Sequence, residues 1–116
     1  MRTLKNWPSL MTAEAAVGLK ELAQHIQTAR KRRKMSVSEI ASRVGVDRRT
    51  ISNLEAGNPG VSLGVLMQVL SVLNLTRGFN EALKPENDID AIAIELRKAR
   101  RRHTPGKKIN DDEVNF

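Results

Sequence analysis

The chain has 116 residues and a formal net charge of +7, because 20 Lys and Arg residues outnumber 13 Asp and Glu residues. A small basic chain predicts a single domain with a polyanionic partner, nucleic acid before membrane. Cysteine is absent, which excludes disulfides, thiolate metal sites and cysteine nucleophiles.

Several further classes of function are not expected. The two histidines, His25 and His103, lie far apart in the chain, so we predict no structural zinc, other metal or cofactor. No apolar run approaches the roughly 18 to 20 residues that cross a bilayer, and MRTLKNWPSL lacks the apolar stretch of a signal peptide. We therefore expect a cytoplasmic protein without membrane contact. No nucleophile, base and orienting residue form a pattern, so we predict no enzyme activity.

The first predicted helix spans residues 13–34 and follows a flexible N-terminal segment, residues 1–11. Thr12 can cap this helix. Its apolar positions recur every three or four residues. They are Ala16, Leu19, Leu22, Ala23, Ile26 and Ala29. Gly18 weakens the pattern, so a later start of the helix stays open.

Two short helices are predicted next. Ser36, with Glu39 three residues later, has the pattern of a capping box and opens the second helix. Gly45 can end that helix in a left-handed conformation. Asp47 can cap a third helix, which Gly57 closes.

The remaining elements are also helical. Ser62 can cap a fourth helix, with apolar positions at Leu63, Leu66, Val69, Leu70 and Leu73. A helical turn can form over residues 79–83. The C-terminal helix lies within residues 85–103, and its apolar stripe is Ile89, Ile92, Ala93, Leu96 and Ala99. Residues 104–116 form a polar tail that we expect to be mobile. The sequence therefore predicts an all-α protein of five to six helices.

The segment VSEIASRVGVDRRTISNL carries the functional signal. Two short helices joined by a turn of about three residues have the shape of a helix-turn-helix unit. Ala41 is small, as the close crossing of the second helix requires, and Gly45 lets the chain reverse. Apolar side chains are placed to fill the angle between the helices: Ile40, Val44, Val46, Ile51 and Leu54.

The third helix has two predicted faces, because Ile51 and Leu54 point inward. Four polar residues share the outward face at positions i, i+1, i+4 and i+5. They are Arg48, Arg49, Ser52 and Asn53. Arginine can form paired hydrogen bonds with guanine and asparagine with adenine, so this face suits the major groove of duplex DNA.

The stretch TARKRRKMSVSEIASRVGVDRRTISNLEAG resembles the Xre/Cro family of phage-repressor-like helix-turn-helix proteins. The resemblance covers roughly residues 19–75, since VSLGVLMQVLSVLNL is similar to the fourth helix of the family. It implies a helix-turn-helix DNA-binding domain, which we assign to residues 12–84. It also implies a homodimer that binds a palindromic operator in double-stranded DNA.

The resemblance assigns roles to individual residues. It implies base reading by the four outward residues of the third helix, Arg48, Arg49, Ser52 and Asn53. It implies phosphate contacts by Ser36, Ser38, Arg43, Thr50 and Asn58. Arg30, four residues after Ile26, would pair with Glu55 and tie the first helix to the third. Val37 stands where many members have Gln, although the backbone N–H groups of that helix start can still bind phosphate.

Within the family, VSLGVLMQVLSVLNL after EAGNPG is most similar to HipB-type antitoxins. These repress their own operon and bind a HipA-type kinase toxin. The prediction is therefore a transcriptional repressor that regulates its own operon as an antitoxin. Two alternatives stay open: a protein-interaction module that mainly neutralises a toxin, and a phage-type or housekeeping Xre regulator without a toxin partner.

Two basic runs and one aromatic residue each allow more than one role. Residues 30–34 turn through about 500° of helix, so they cannot all face one partner. Residues 97–102 are either a favourable helix end or a surface for DNA or an acidic partner. The apolar stripe beside them either packs on its own domain or forms a dimer or partner contact, and we predict the dimer or partner contact. Trp7 either covers the edge of the core or anchors a partner.

Overall fold

The computed structural model describes residues 6–102, and every regular element in that range is helical. A 3₁₀ turn at Trp7–Leu10 comes first, and a second one at Pro85–Asn87 precedes the last helix. The six α-helices are α1 (Ala13–Arg32), α2 (Val37–Val44), α3 (Arg48–Glu55), α4 (Leu63–Val72), α5 (Thr76–Glu81) and α6 (Ile89–Arg102). The all-α, phage-repressor-like prediction is confirmed.

Local side-chain caps fix where the helices start. The hydroxyl oxygen of Thr12 accepts a hydrogen bond from the N–H of Ala15 at 3.0 Å, so α1 begins at Ala13 and includes Gly18. The later start that Gly18 left open is not observed. At the other end, Lys34 takes a left-handed conformation with φ 57°, and α1 stops two residues before the end predicted for it.

The chain divides into two compact units, Met1–Thr76 and Arg77–Phe116. This division falls inside the range 12–84 that the sequence predicts as one domain. In the first unit the core is built from α1, α2, α3 and α4. Its largest fully buried side chains are Ile26, Ile40, Ile51, Val69 and Leu73. These residues are among the apolar positions that the helical spacing assigns to the core.

One predicted core position is wrong. Leu63 is 70% exposed, because it is the first residue of α4 and the chain before it is a loop rather than another turn of helix. Leu63 instead lines an apolar groove with Trp7, Leu19 and Leu66. Trp7 therefore lies along the edge of the core of this unit.

Two glycines shape the connections on either side of α3. Gly45 follows α2 with φ 86°, the left-handed conformation that the sequence predicts, and it turns the chain toward α3. Gly57 follows α3 with φ 77°, and a Cβ atom added there would lie 3.4 Å from Cγ of Lys20 in α1. Both positions favour glycine because left-handed backbone disfavours a side chain.

The second unit, in its described part, consists of most of α5, the second 3₁₀ turn and α6. The carboxylate of Asp88 caps α6 by accepting from the N–H of Ala91 at 3.1 Å. No residue of α6 is buried. His103, the predicted last residue of this helix, lies outside the described residues, as do the predicted tail 104–116 and residues 1–5. Within the described part, no helix is long and apolar enough to span a membrane.

Candidate nucleic-acid interface

Helix α3 has one buried and one exposed face. Ile51 and Leu54 are buried, and α3 contacts both α1 and α2. Arg48, Arg49 and Ser52 are exposed, and Asn53 is half-buried. The structure therefore brings the four predicted base-reading residues together on one side of a helix that is braced from behind.

Asp47 fixes the first turn of this helix. Its carboxylate oxygen accepts from the N–H of Thr50 at 2.8 Å and from the hydroxyl of Thr50 at 2.7 Å. These hydrogen bonds from Thr50, with a smaller contribution from the charge of Arg49, hold the pKa of Asp47 below its ordinary value. The hydroxyl proton of Thr50 is used by the cap, so a phosphate contact through this hydroxyl requires breaking the bond to Asp47.

The start of α2 carries two more predicted phosphate ligands. The Ser36 hydroxyl oxygen accepts from the N–H of Glu39 at 3.0 Å, and Glu39 accepts from the N–H of Ser36 at 3.3 Å, which completes the predicted capping box. A serine that accepts in this way still has its hydroxyl proton to donate. Ser38 is exposed in the same first turn. Val37, the departure from the family pattern, is half-buried, so it contributes to packing.

The other two predicted phosphate ligands lie at the ends of the motif. Arg43 is exposed in the last turn of α2. Asn58 is exposed after α3, and its side-chain oxygen accepts from the N–H of Gly60 at 2.7 Å. The Asn58 amide nitrogen carries two further donors. Its backbone N–H donates to the carbonyl of Asn53 at 3.0 Å, which attaches the loop to α3.

Arg30 and Glu55 form a paired salt bridge between α1 and α3. Arg30 Nε donates to Glu55 Oε2 at 2.7 Å, and Nη2 donates to Oε1 at 2.9 Å. Both side chains are less than a tenth exposed. The hydrogen bonds and charge of Glu55 raise the pKa of Arg30, although burial opposes this. The pair therefore holds α3 against α1 and leaves the exposed face of α3 unobstructed by these two charges.

The structure adds one contact that the sequence did not indicate. Arg30 Nη1 donates to the carbonyl oxygen of Met35 at 2.8 Å, so the same guanidinium also anchors the loop between α1 and α2. A backbone acceptor has no signature in the sequence, because every residue carries a carbonyl. Only the folded position of the loop relative to Arg30 reveals it.

The basic run at residues 30–34 does not form one surface. Arg30 is buried in its salt bridge, whereas Lys31, Arg32, Arg33 and Lys34 are exposed. Arg33 donates to the carbonyl of Ala29 at 2.8 Å, which satisfies one of the last acceptors of α1. This separation follows the prediction that five consecutive helical residues cannot face one partner. Among the described residues, no cluster of His, Asp and Glu suits a metal ion.

Comparison with protein families gives an independent reading of the motif. Residues 26–79 match the model of the HTH_3 family, described as helix-turn-helix. The match includes all of α2, α3 and α4. No curated protein and no solved structure was found to match the chain. Residues 26–79 therefore match an Xre-type helix-turn-helix domain, a module typical of DNA-binding regulators.

Proposed function

We propose that the protein is a sequence-specific transcriptional repressor that binds a palindromic operator in duplex DNA as a homodimer. The observation that carries this proposal is the outward face of α3, where Arg48, Arg49, Ser52 and Asn53 lie opposite the buried Ile51 and Leu54. Each subunit places this face in the major groove. The two half-sites would lie about one helical turn, roughly 34 Å, apart.

The chemistry of the face supports recognition of base edges. A guanidinium matches the O6 and N7 acceptors of guanine, and an asparagine amide matches N6 and N7 of adenine. Each such pair contributes about 1–3 kcal/mol of discrimination against a wrong base. Arg48 and Arg49 are exposed and adjacent in the first turn that Asp47 caps, so their backbone is held in place before DNA arrives.

The experiment starts from duplexes that the wild-type protein selects from a random pool. We expect Arg49→Ala to weaken binding to a selected duplex by about 1–3 kcal/mol, roughly 5- to 150-fold, and to relax preference at one base pair. Arg49→Lys is the matched variant, because it keeps the charge and loses the fork of donors. It should retain affinity for unrelated DNA while losing the same preference.

The control is Arg77→Ala, which removes an exposed arginine from α5, outside the helix-turn-helix pair. Its binding preference should equal that of the wild-type protein. Unchanged binding and unchanged preference for alanine variants at Arg48, Arg49 and Asn53 would refute the assignment of the reading face. Enrichment of no sequence from the random pool would refute sequence-specific binding itself.

Phosphate contacts are tested by affinity for unrelated DNA and by the salt dependence of binding rather than by base preference. Arg43→Ala should weaken binding to selected and unrelated duplexes by a similar factor, because phosphates carry no sequence information. It should also reduce the slope of log affinity against log salt by about 1. A change in base preference without a change in that slope would assign Arg43 to base reading instead.

Repression and the antitoxin role need separate tests. The HTH_3 match concerns the DNA-binding module, so the HipB-type role and its HipA-type kinase partner rest on the sequence resemblance alone. A reporter under the control of the protein's own promoter tests autorepression. Co-purification with the product of a neighbouring gene tests the toxin partner, and its absence would favour a regulator that works without one.

A further inference from the structure

Helix α6 carries an apolar stripe that is exposed within the part of the chain that the structure describes. Ile89 is 78% exposed and Leu96 is 42% exposed, with Ile92 between them at 37%. At 100° per residue these side chains and Ala99 lie within about 80° of one another on the helix surface. A 14-residue helix is about 21 Å long. A stripe of this kind is stable in water when another apolar surface covers it.

The charges around α6 are separated along its length. Residues 86–95 contain four acids and no base, and residues 97–102 contain five bases and no acid. The acids are Glu86, Asp88, Asp90 and Glu95, and the bases are Arg97, Lys98, Arg100, Arg101 and Arg102. A helix dipole favours such charges in the first and last turns only. Glu95, Arg97 and Lys98 lie outside those turns, so the dipole does not account for the whole pattern.

We propose that α6 is a self-association surface, on which α6 of a second copy packs antiparallel along the stripe. In this arrangement the acidic half of each helix lies beside the basic half of the other. A parallel arrangement would instead place five positive charges beside five others. One patch that meets its own copy about a twofold axis gives a closed dimer.

The pairing also fits the proposed DNA-binding role without depending on it. Three large apolar side chains per copy make a small interface, so the dimer should form reversibly and respond to concentration. Binding to two half-sites would raise the effective concentration of one subunit near the other. Self-association is measured without DNA, so its failure and a failure of DNA reading give different results.

The first test compares two substitutions on opposite sides of α6. Leu96 and Ile94 are 42% and 44% exposed, but they lie about 160° apart around the helix, because two residues turn it by about 200°. Sedimentation equilibrium of the full chain should show a monomer–dimer equilibrium. We expect Leu96→Asp to raise the dissociation constant at least tenfold and Ile94→Asp to change it less than threefold. Circular dichroism checks that both variants remain helical.

The second test determines whether the two copies of α6 are antiparallel. The sequence contains no cysteine, so any disulfide must join the introduced residues. The stripe from Ile89 to Ala99 is centred near residue 94. In an antiparallel pair two copies of residue 93 are offset by about 3 Å along the axis, whereas two copies of residue 99 are offset by about 15 Å. A disulfide needs Cα atoms within roughly 7 Å. Ala93 lies about 80° around the helix from the centre of the stripe, at the edge of the interface, so two copies of this position approach each other without ideal disulfide spacing. We therefore expect Ala93→Cys to form a disulfide-linked dimer faster than Ala99→Cys under mild oxidation.

Three results would overturn the proposal. The first is a monomer at every concentration. The second is an equal weakening of the dimer by Leu96→Asp and Ile94→Asp. The third is that Ala99→Cys forms a disulfide-linked dimer and Ala93→Cys does not. A chain that stays monomeric at every concentration but forms a stable complex with a different protein through α6 would also overturn the proposal. A monomeric Leu96→Asp protein that still binds one selected half-site would support the α6 interface and leave the DNA-reading proposal intact. A wild-type dimer that selects no DNA would remove the DNA-reading proposal alone.

Discussion

Replacing Glu55 with alanine should destabilise the helix-turn-helix domain severely. The guanidinium of Arg30 would keep its bond to the Met35 carbonyl and lose both bonds to the carboxylate, at 2.7 and 2.9 Å. Arg30 is 7% exposed, so water cannot easily replace these bonds. Breaking one side of a buried pair costs about 3–5 kcal/mol. For a domain of this size each kcal/mol lowers Tm by about 4–8 °C, so we expect a fall of at least about 12 °C.

Thermal unfolding followed by circular dichroism measures this effect, and Glu21→Ala supplies the control. Glu21 is an exposed acid in α1, so its removal should change stability by less than about 0.5 kcal/mol. The double variant Arg30→Met/Glu55→Leu removes both charges and should be more stable than Glu55→Ala, because no unpaired charge stays buried. A Tm for Glu55→Ala within 3 °C of the Glu21→Ala value would refute the assignment of the pair as a structural brace.

The remaining predictions concern the backbone and the cap of α3. Lys34→Gly should raise the free energy of unfolding by about 1 kcal/mol in urea denaturation, since Lys34 has φ 57°; a loss of stability would contradict this. Gly57→Ala should lower it by about 1–2 kcal/mol, because φ is 77° and the added Cβ meets Lys20. Gly18→Ala is its control and should raise it by about 0.5–1 kcal/mol, since a Cβ there meets nothing within 4 Å. The lowered pKa of Asp47 stabilises the fold above the ordinary aspartate pKa of about 3.9, and this contribution is lost as pH falls through the lowered value. Stability measured from pH 6 to pH 2 should therefore fall less in Asp47→Asn than in the wild-type protein, and equal falls would contradict the cap assignment.

The caps could be predicted from the sequence because they depend on neighbours in the chain. Thr12, Ser36, Asp47 and Ser62 each accept from the backbone N–H three residues later. Gly45 likewise takes the left-handed conformation expected of it. In each case the side chain and its partner are separated by one helical turn, so the residue types alone specify the interaction.

Features that depend on distant parts of the chain could not be predicted in this way. The helical spacing assigns Leu63 to the core, but the spacing does not say where neighbouring helices stop covering α4. The sequence indicates a turn over residues 79–83, whereas α5 runs from Thr76 to Glu81. The start of this helix lacks the capping pattern that locates α2. The Met35 carbonyl contact of Arg30 depends on how the loop folds back over α1.

The structure separates the residues that fold the domain from those that we propose read DNA. Ile51 and Leu54 hold α3 from behind, and Glu55 ties its end to Arg30. Among the described residues, the exposed side chains of Arg48 and Arg49 form no hydrogen bond with the core or with this pair. Substitution of the two exposed arginines should therefore leave Tm nearly unchanged. A loss of DNA binding at normal stability would then report recognition alone. A large fall in Tm for Arg49→Ala would show instead that the reading face also supports the fold, and the binding data would need correction for unfolding.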